Sequence, residues 1–261
     1  FDREGLDLSW GNGDTVLEVV RRIAFREGKV GDLLAKGVKR ASEEMGQDSY
    51  KWAVQAKGLE QSRVETRSAY SYALAFAVNP RGPDHLMTET IAEFGLSPEA
   101  VDLIEEITGS AKYANSRSTE KRAEIVRWHE DTYCVSDSLG ICAFTNTAQY
   151  FLMPNLMARL FSATIGVPVS EDELTRLGRK VVTLEKAFNV REGATRKDDT
   201  VPWRLMHEPQ LDSPQGKDAI ISQEKLDGML NRYYELHEWD METSWPTRET
   251  LGKLGLGDVA D

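Results

Sequence analysis

Apolar residues in this chain recur three and four positions apart, the spacing that lines them up on one face of a helix. Val16, Leu17, Val20 and Ile23 follow Asp14 in this way, predicting a helix capped by Asp14 and stopped by a left-handed Gly28. A second helix is expected from about Val30 to Met45, with Leu33, Leu34 and Val38 inward and Gly46 beyond its end. Ser97-Pro98 supplies a cap and a proline at the first helical position, ahead of Val101, Ile104 and Ile107. Ser118 opens a longer polar-faced stretch that turns Ile125 and Trp128 inward. Ser170 and Glu173 have the capping-box spacing, and Leu174, Leu177, Val181, Leu184 and Phe188 follow as an inward stripe. Ser222 stands in the same relation to Leu226, Met229, Leu230 and Tyr233. Apolar and polar residues hardly ever alternate over four or more positions, so half-buried strands are not expected. The pattern predicts an all-α, multihelical chain.

The helical pattern lapses over Phe1–Gly13, Lys57–Arg67, Asn79–His85, Ser136–Thr147 and Val190–Gly216. Chemistry is expected in these segments, because loops present backbone groups and reactive side chains while helices supply scaffold. A domain boundary is placed near Gly58–Arg67, giving residues 1–60 as the end of one helical domain and residues 61–261 as a second.

Composition narrows the function. The 261 residues are 40% apolar, enough for a substantial core. The longest nearly uncharged run, Ala69 to Pro80, is shorter than the roughly 18 residues a membrane span needs, so no membrane partner is expected. Lys and Arg number 32 against 43 Asp and Glu. The resulting charge of −11 would repel a phosphate backbone, which argues against nucleic acid. Two cysteines, Cys134 and Cys142, are too few for a disulfide framework or a complete cysteine-ligated centre. The chain begins at Phe1 without Met, which fits a fragment.

Two of the loops share a pattern. Asp2-Arg3-Glu4-Gly5-Leu6-Asp7 and Asp137-Ser138-Leu139-Gly140-Ile141-Cys142 both read D-x-x-G-(L/I)-(D/C). Each places a carboxylate three residues before a glycine able to take positive φ, then an aliphatic residue and a second polar or coordinating side chain. Such a turn suits a flat heterocycle rich in hydrogen-bond donors and acceptors.

These segments resemble the paired D-x-x-G-L-(C/D) motifs of the tungsten-containing aldehyde:ferredoxin oxidoreductase family. Other landmarks agree: Lys57-Gly58-Leu59-Glu60, Asn79-Pro80-Arg81-Gly82-Pro83-Asp84-His85-Leu86, and Asn189-Val190-Arg191-Glu192-Gly193. Arg196-Lys197-Asp198-Asp199, Glu208-Pro209, Tyr233-Tyr234-Glu235-Leu236, Trp239-Asp240 and Pro246-Thr247-Arg248-Glu249 continue the series, with matches running to about Asp258. The resemblance implies the end of the family's second domain and all of its third, two packed helical domains. These would cover a cofactor seated on an N-terminal β-rich domain that precedes Phe1, as would the family's C-x-x-C-x-x-x-C cluster segment.

The same resemblance implies a tungsten or molybdenum bis-pyranopterin, bound by Asp2, Leu6 and Asp7 at one pterin and by Asp137, Ile141 and Cys142 at the other. Cys142 would also be the fourth thiolate ligand of a 4Fe-4S cluster completed upstream. His85 would be the catalytic residue, trading a proton near the metal as a small aldehyde is oxidised to a carboxylate and electrons pass to ferredoxin. A cytoplasmic parent is implied, and the isolated chain is expected to be inactive. Two alternatives stay open: a related low-potential enzyme acting on an acyl-CoA or an aromatic ring, and a helical module without cofactor. Whether the parent forms a homodimer is also open. Arg81 suits a cofactor phosphate or a structural pairing equally. Cys134 is read as core, Asp198 and Asp199 as a lock on the last helices, and His129, His207 and His237 are given no chemistry. Ile141 stands where the family usually has Leu, a volume-conserving change. Met87-Thr88-Glu89 replaces a basic or small residue after the histidine and leaves the substrate unspecified.

Overall fold

The computed structural model describes residues 5–145, 150–213 and 216–260. Helices α1 (Gly13–Phe25), α2 (Gly28–Leu34) and α3 (Val38–Met45) come first, followed by a short antiparallel hairpin of β1 (Gln55–Ala56) and β2 (Leu59–Glu60). The rest is helical: α4 (Tyr70–Val78), α5 (Pro98–Thr108), α6 (Arg122–Ser138), α7 (Pro154–Ile165), α8 (Glu171–Arg191), α9 (Trp203–His207), α10 (Gln223–His237) and α11 (Arg248–Lys253). The architecture is all-α, as the apolar spacing predicts.

Helix α6 lies at the centre, packed on α4, α8 and α10. Its contact with α8 is close because residue 178 is glycine: a Cβ there would fall 2.1 Å from the Asp131 carbonyl oxygen. Helix α4 is apolar all round, and each of its nine residues is buried. A buried helix start needs partners for its first N–H groups, and Ala69 at the cap position has no side chain to supply one. Glu93 takes that role, accepting from Ser71 N at 2.9 Å and Tyr72 N at 3.3 Å. Its own charge is met by the fully buried Arg122, 3.2 Å away.

Local signals placed several helices well. Ser97 caps α5 with Pro98 in its first turn, Ser170 and Glu173 form the capping box of α8, and Ser222 caps α10. Other expectations need correction. Asn12, not Asp14, caps α1, and the left-handed stop is Arg26 at φ 53° rather than Gly28, which opens α2. The single helix expected from Val30 to Met45 is two, broken at Gly37 with φ 83°. The Ser118 helix begins only at Arg122, and it runs on to Ser138, into the segment expected to be loop. Leu177, Leu184 and Phe188 on α8 are exposed, so its inward stripe is narrower than their spacing suggests.

Candidate functional site

The second six-residue motif is the end of α6. Gly140, at φ 70°, follows the helix in left-handed conformation, with Gly140 N donating to Asp137 O at 3.1 Å and Ile141 N donating to Ser136 O at 2.8 Å. These two bonds are the Schellman pattern, and its usual apolar contact is present, because Ile141 packs in one cluster with Val135. The motif therefore carries Asp137 on the last helical turn, half-buries Ile141 as an anchor, and delivers Cys142 to the surface. Partial burial raises the pKa of Asp137, and the Arg81 charge acts against the rise.

The first motif uses the same backbone hand, with Gly5 at φ 68°. Leu6 is buried, and Asp7 is exposed. The Asp7 carboxylate accepts from Ser9 N at 3.0 Å, from Ser9 Oγ at 3.1 Å and from Asn12 Nδ2 at 3.3 Å, and these bonds hold its pKa below the ordinary value. Asn12 in turn caps α1 through Thr15 N. Asp2 lies outside the described residues. Among the described residues no hydrogen bond or ion pair links Leu6 or Asp7 to Asp137 or Ile141.

His85 sits on a loop built by Asn79 and Gly82. Buried Asn79 accepts from Arg81 N at 3.0 Å and donates to Asp84 O at 3.0 Å. Gly82 has φ 126°, and a Cβ there would lie 2.6 Å from Leu59 Cβ, so the loop rests directly on the β1–β2 hairpin. Arg81 pairs with Asp84, the structural alternative for this side chain, while remaining exposed. His85 Nδ1 lies 3.1 Å from Ser62 Oγ. Ser62 gives its one hydroxyl hydrogen to Pro83 O at 3.3 Å, so Oγ accepts from Nδ1–H. That tautomer leaves Nε2 as the proton acceptor of a half-buried ring.

Most of the remaining landmarks meet around one cavity of about 320 Å³. Lys57 stands at its edge, and with Gly58 it makes the two-residue turn of the hairpin, at φ 54° and 90°, the type I′ geometry that matches strand twist. From there Lys57 Nζ reaches Ala77 O at 2.6 Å, Asn79 O at 2.9 Å and Asp199 Oδ1 at 2.9 Å. Lys186 Nζ and Tyr234 Oη both donate to Asp199 Oδ2, at 2.7 and 2.6 Å. Burial works against the Asp199 charge, yet Lys57 and Lys186 outweigh it and hold the carboxyl below its usual pKa. Deeper in, Glu130 Oε2 accepts from Tyr233 Oη at 2.9 Å, and Oε1 lies 2.7 Å from His237 Nε2 without hydrogen-bond alignment. Burial and then neighbouring Asp131 push Glu130 well above the carboxylate range, while burial pushes His237 well below the usual imidazole value. No motif in the sequence assigns these residues chemistry. Lys186 and Glu130 carried no signal at all, whereas Lys57 and Asp199 each lay in a recognised landmark.

Among the described residues no three His, Cys, Asp or Glu side chains cluster closely enough to hold a metal ion. The class defined by fold and loops is a multihelical segment with two glycine-turn motifs. The family model described as aldehyde ferredoxin oxidoreductase, domains 2 & 3, matches residues 2–256, and the chain belongs to this family. The tungsten-containing aldehyde ferredoxin oxidoreductase of Pyrococcus furiosus is 28% identical over 250 residues, which are 95% of this chain and 38% of that protein. The protein of the same name from Thermococcus kodakarensis is 27% identical over the same shares. The chain thus spans less than two fifths of these relatives. The active site complex BamBC of benzoyl coenzyme A reductase, solved with 1,5-dienoyl-CoA, shares the fold over the whole chain and 41% of its own length, with TM-score 0.76 and 24% identity.

Proposed function

We propose that this chain is the C-terminal part of a tungsten or molybdenum bis-pyranopterin oxidoreductase that oxidises an aldehyde to a carboxylate, with ferredoxin as electron acceptor. The donor set fits such a cofactor. Asp7, kept ionised by its turn, and Asp137 supply acceptor oxygens for pterin N–H groups, and exposed Cys142 supplies a thiolate for one iron of a 4Fe-4S cluster. Leu6 and Ile141 anchor the two turns into apolar packing and so fix where those oxygens point. When bound, the metal and its pterins supply the two-electron acceptor and the site at which water-derived oxygen is transferred. His85 accepts the released proton at Nε2, and the Ser62 bond holds the ring in the tautomer that can do so.

The observation that carries this reading is the shared build of the two motifs: each is a left-handed glycine turn, Gly5 at φ 68° and Gly140 at φ 70°, followed by an inward aliphatic residue and an exposed Asp7 or Cys142. The test uses the full-length protein: Cys142→Ser is expected to abolish the cluster's electron paramagnetic resonance signal, and a full-strength signal would overturn the assignment. Assays with short aldehydes and with an aryl-CoA thioester separate aldehyde oxidation from ring reduction.

A further inference from the structure

The segment Asn79–His85 belongs to no helix or strand, and Pro80 and Pro83 remove two of its N–H donors, so part of its carbonyl row depends on donors from elsewhere in the fold. Three elements supply them. The hairpin turn sends Lys57 Nζ to Asn79 O at 2.9 Å, α8 sends Asn189 Nδ2 to Pro80 O at 2.7 Å, and the segment after β2 sends Ser62 N to Pro83 O at 3.1 Å. The Asn189 amide can face a carbonyl only through its nitrogen, so its orientation is set. Lys57 is itself fixed, because Asp199 takes its charge and is held in turn by Lys186 and Tyr234. Lys57, Asn189, Asp199 and Tyr234 come from four separate sequence landmarks, and none of them has a place among the cofactor or proton-transfer residues proposed above. Through these bonds all four bear on the backbone that carries His85.

We propose that Asn189 and Lys57 are positioning residues for His85. By fixing the carbonyls of Pro80 and Asn79 they set where the loop runs, and the loop sets the imidazole against Ser62, with Nδ1–H bonded and Nε2 free. Ser62 alone fixes only the far end of the loop. It bonds Pro83 O and the ring of His85, and leaves the near end, at Asn79 and Pro80, to the other two donors. Gly82 lies between these points, pressed on Leu59 and Ala56 of the hairpin. A general base works only within hydrogen-bond reach of its proton, and a displacement of about 1 Å caused far from the chemistry can cost about 100-fold in rate. The bearing on catalysis rests on the proposed role of His85, whereas the clamp on its loop does not.

The test is the imidazole nitrogen-15 spectrum of the full 261-residue chain at about pH 8, where neutral histidine rings report their tautomer. The His85 signal is identified by its loss in His85→Ala. The wild-type ring is expected in a single tautomer, protonated at Nδ1. Asn189→Leu keeps the side-chain volume and removes one donor, Lys57→Met removes the other, and each should convert His85 to a mixture of both tautomers. His129, whose Nδ1 donates to Ile125 O inside α6, should keep its shifts and so reports an intact fold. If either variant does not fold, the other decides the matter. An unchanged His85 tautomer in a folded variant overturns the proposal, as does a wild-type ring already in mixture or a His129 signal that moves together with that of His85. In the loaded full-length enzyme Asn189→Leu should lower kcat by about tenfold with KM little changed. A tautomer shift in a protein whose kcat survives His85→Ala sinks the role of His85 and leaves the clamp standing; a lost kcat in His85→Ala with no tautomer shift in Asn189→Leu does the opposite.

Discussion

Lys57 and Asp199 meet at 2.9 Å and join the turn of the β1–β2 hairpin to the loop after α8. Lys57 does this from a left-handed backbone conformation, which is uncommon for a residue with a Cβ, so the pairing and the turn support each other. Among the described residues Asp199 is also the only carboxylate within ion-pair distance of both Lys57 and Lys186. Asp199→Asn should therefore leave two buried ammonium groups facing a neutral amide. The expected loss is about 3 kcal/mol or more in urea denaturation, the usual result of removing one partner of a buried ion pair. A loss below about 1 kcal/mol, the scale of an exposed pair, would show that the cluster is well solvated.

Gly82 and Gly140 both have positive φ, but their surroundings differ. A Cβ on Gly82 would meet Leu59 Cβ at 2.6 Å and Ala56 O at 2.9 Å, whereas nothing lies within 4 Å of one on Gly140. Gly140→Ala should cost about 1 kcal/mol, the ordinary strain of a left-handed alanine. Gly82→Ala should cost more, because the His85 loop must also lift from the hairpin. Comparing the two urea midpoints checks the order, and equal midpoints would show that the loop yields freely.

The caps of α5, α8 and α10 were legible because a cap is a local device: Ser97, Ser170 and Ser222 lie within three residues of the groups they bond. The centre of the site was not legible, because its partners are distant in sequence. Glu130 and Lys186 read as solvated helix faces until α6, α8 and α10 are packed around them. The cap of α4 is hidden for the same reason, since Glu93 lies far beyond the helix start it serves. The two D-x-x-G motifs were legible as turns, and their glycines do take positive φ. That the second is a helix ending rather than a free loop depends on how far α6 extends, which apolar spacing leaves unmarked once a helix is buried on nearly every side.

Stability should fall with acidification well before the carboxylates titrate. His129 is fully buried, with Nδ1 donating to Ile125 O at 2.8 Å, and burial pushes its pKa down to about 4. The unfolded chain takes up a proton near pH 6.5 and the folded chain refuses it, so stability is lost as pH falls from about 6.5 to about 4, by about 3 kcal/mol. Denaturation midpoints across that range check this, and His129→Gln should flatten the slope. An unchanged slope in the variant would assign the effect to His237.

Glu130 works in the opposite direction. Its folded pKa is raised, so above about pH 4.3 the unfolded chain releases a proton that the folded chain keeps, and stability declines as pH rises. Glu130→Gln retains an oxygen that can accept from Tyr233 and removes the proton linkage. The variant should gain stability over wild type at about pH 8 and show no gain at about pH 4. A gain of equal size at both values would point to packing instead.

His85 and Ser62 make a pair whose roles differ in kind. The ring is the proposed proton acceptor, and the hydroxyl only selects its tautomer and orientation. In the loaded full-length enzyme His85→Ala should lower kcat by roughly 100-fold or more, the usual range for loss of a general base. Ser62→Ala leaves the ring in place and frees it to adopt either tautomer, so a smaller loss in kcat of about tenfold is expected, with KM little changed. Ser62→Thr preserves the hydroxyl and should restore most of the rate. If Ser62→Ala lowers the rate as much as His85→Ala while Ser62→Thr does not recover it, Ser62 holds the loop rather than the tautomer, and the proton-acceptor assignment loses its geometric support.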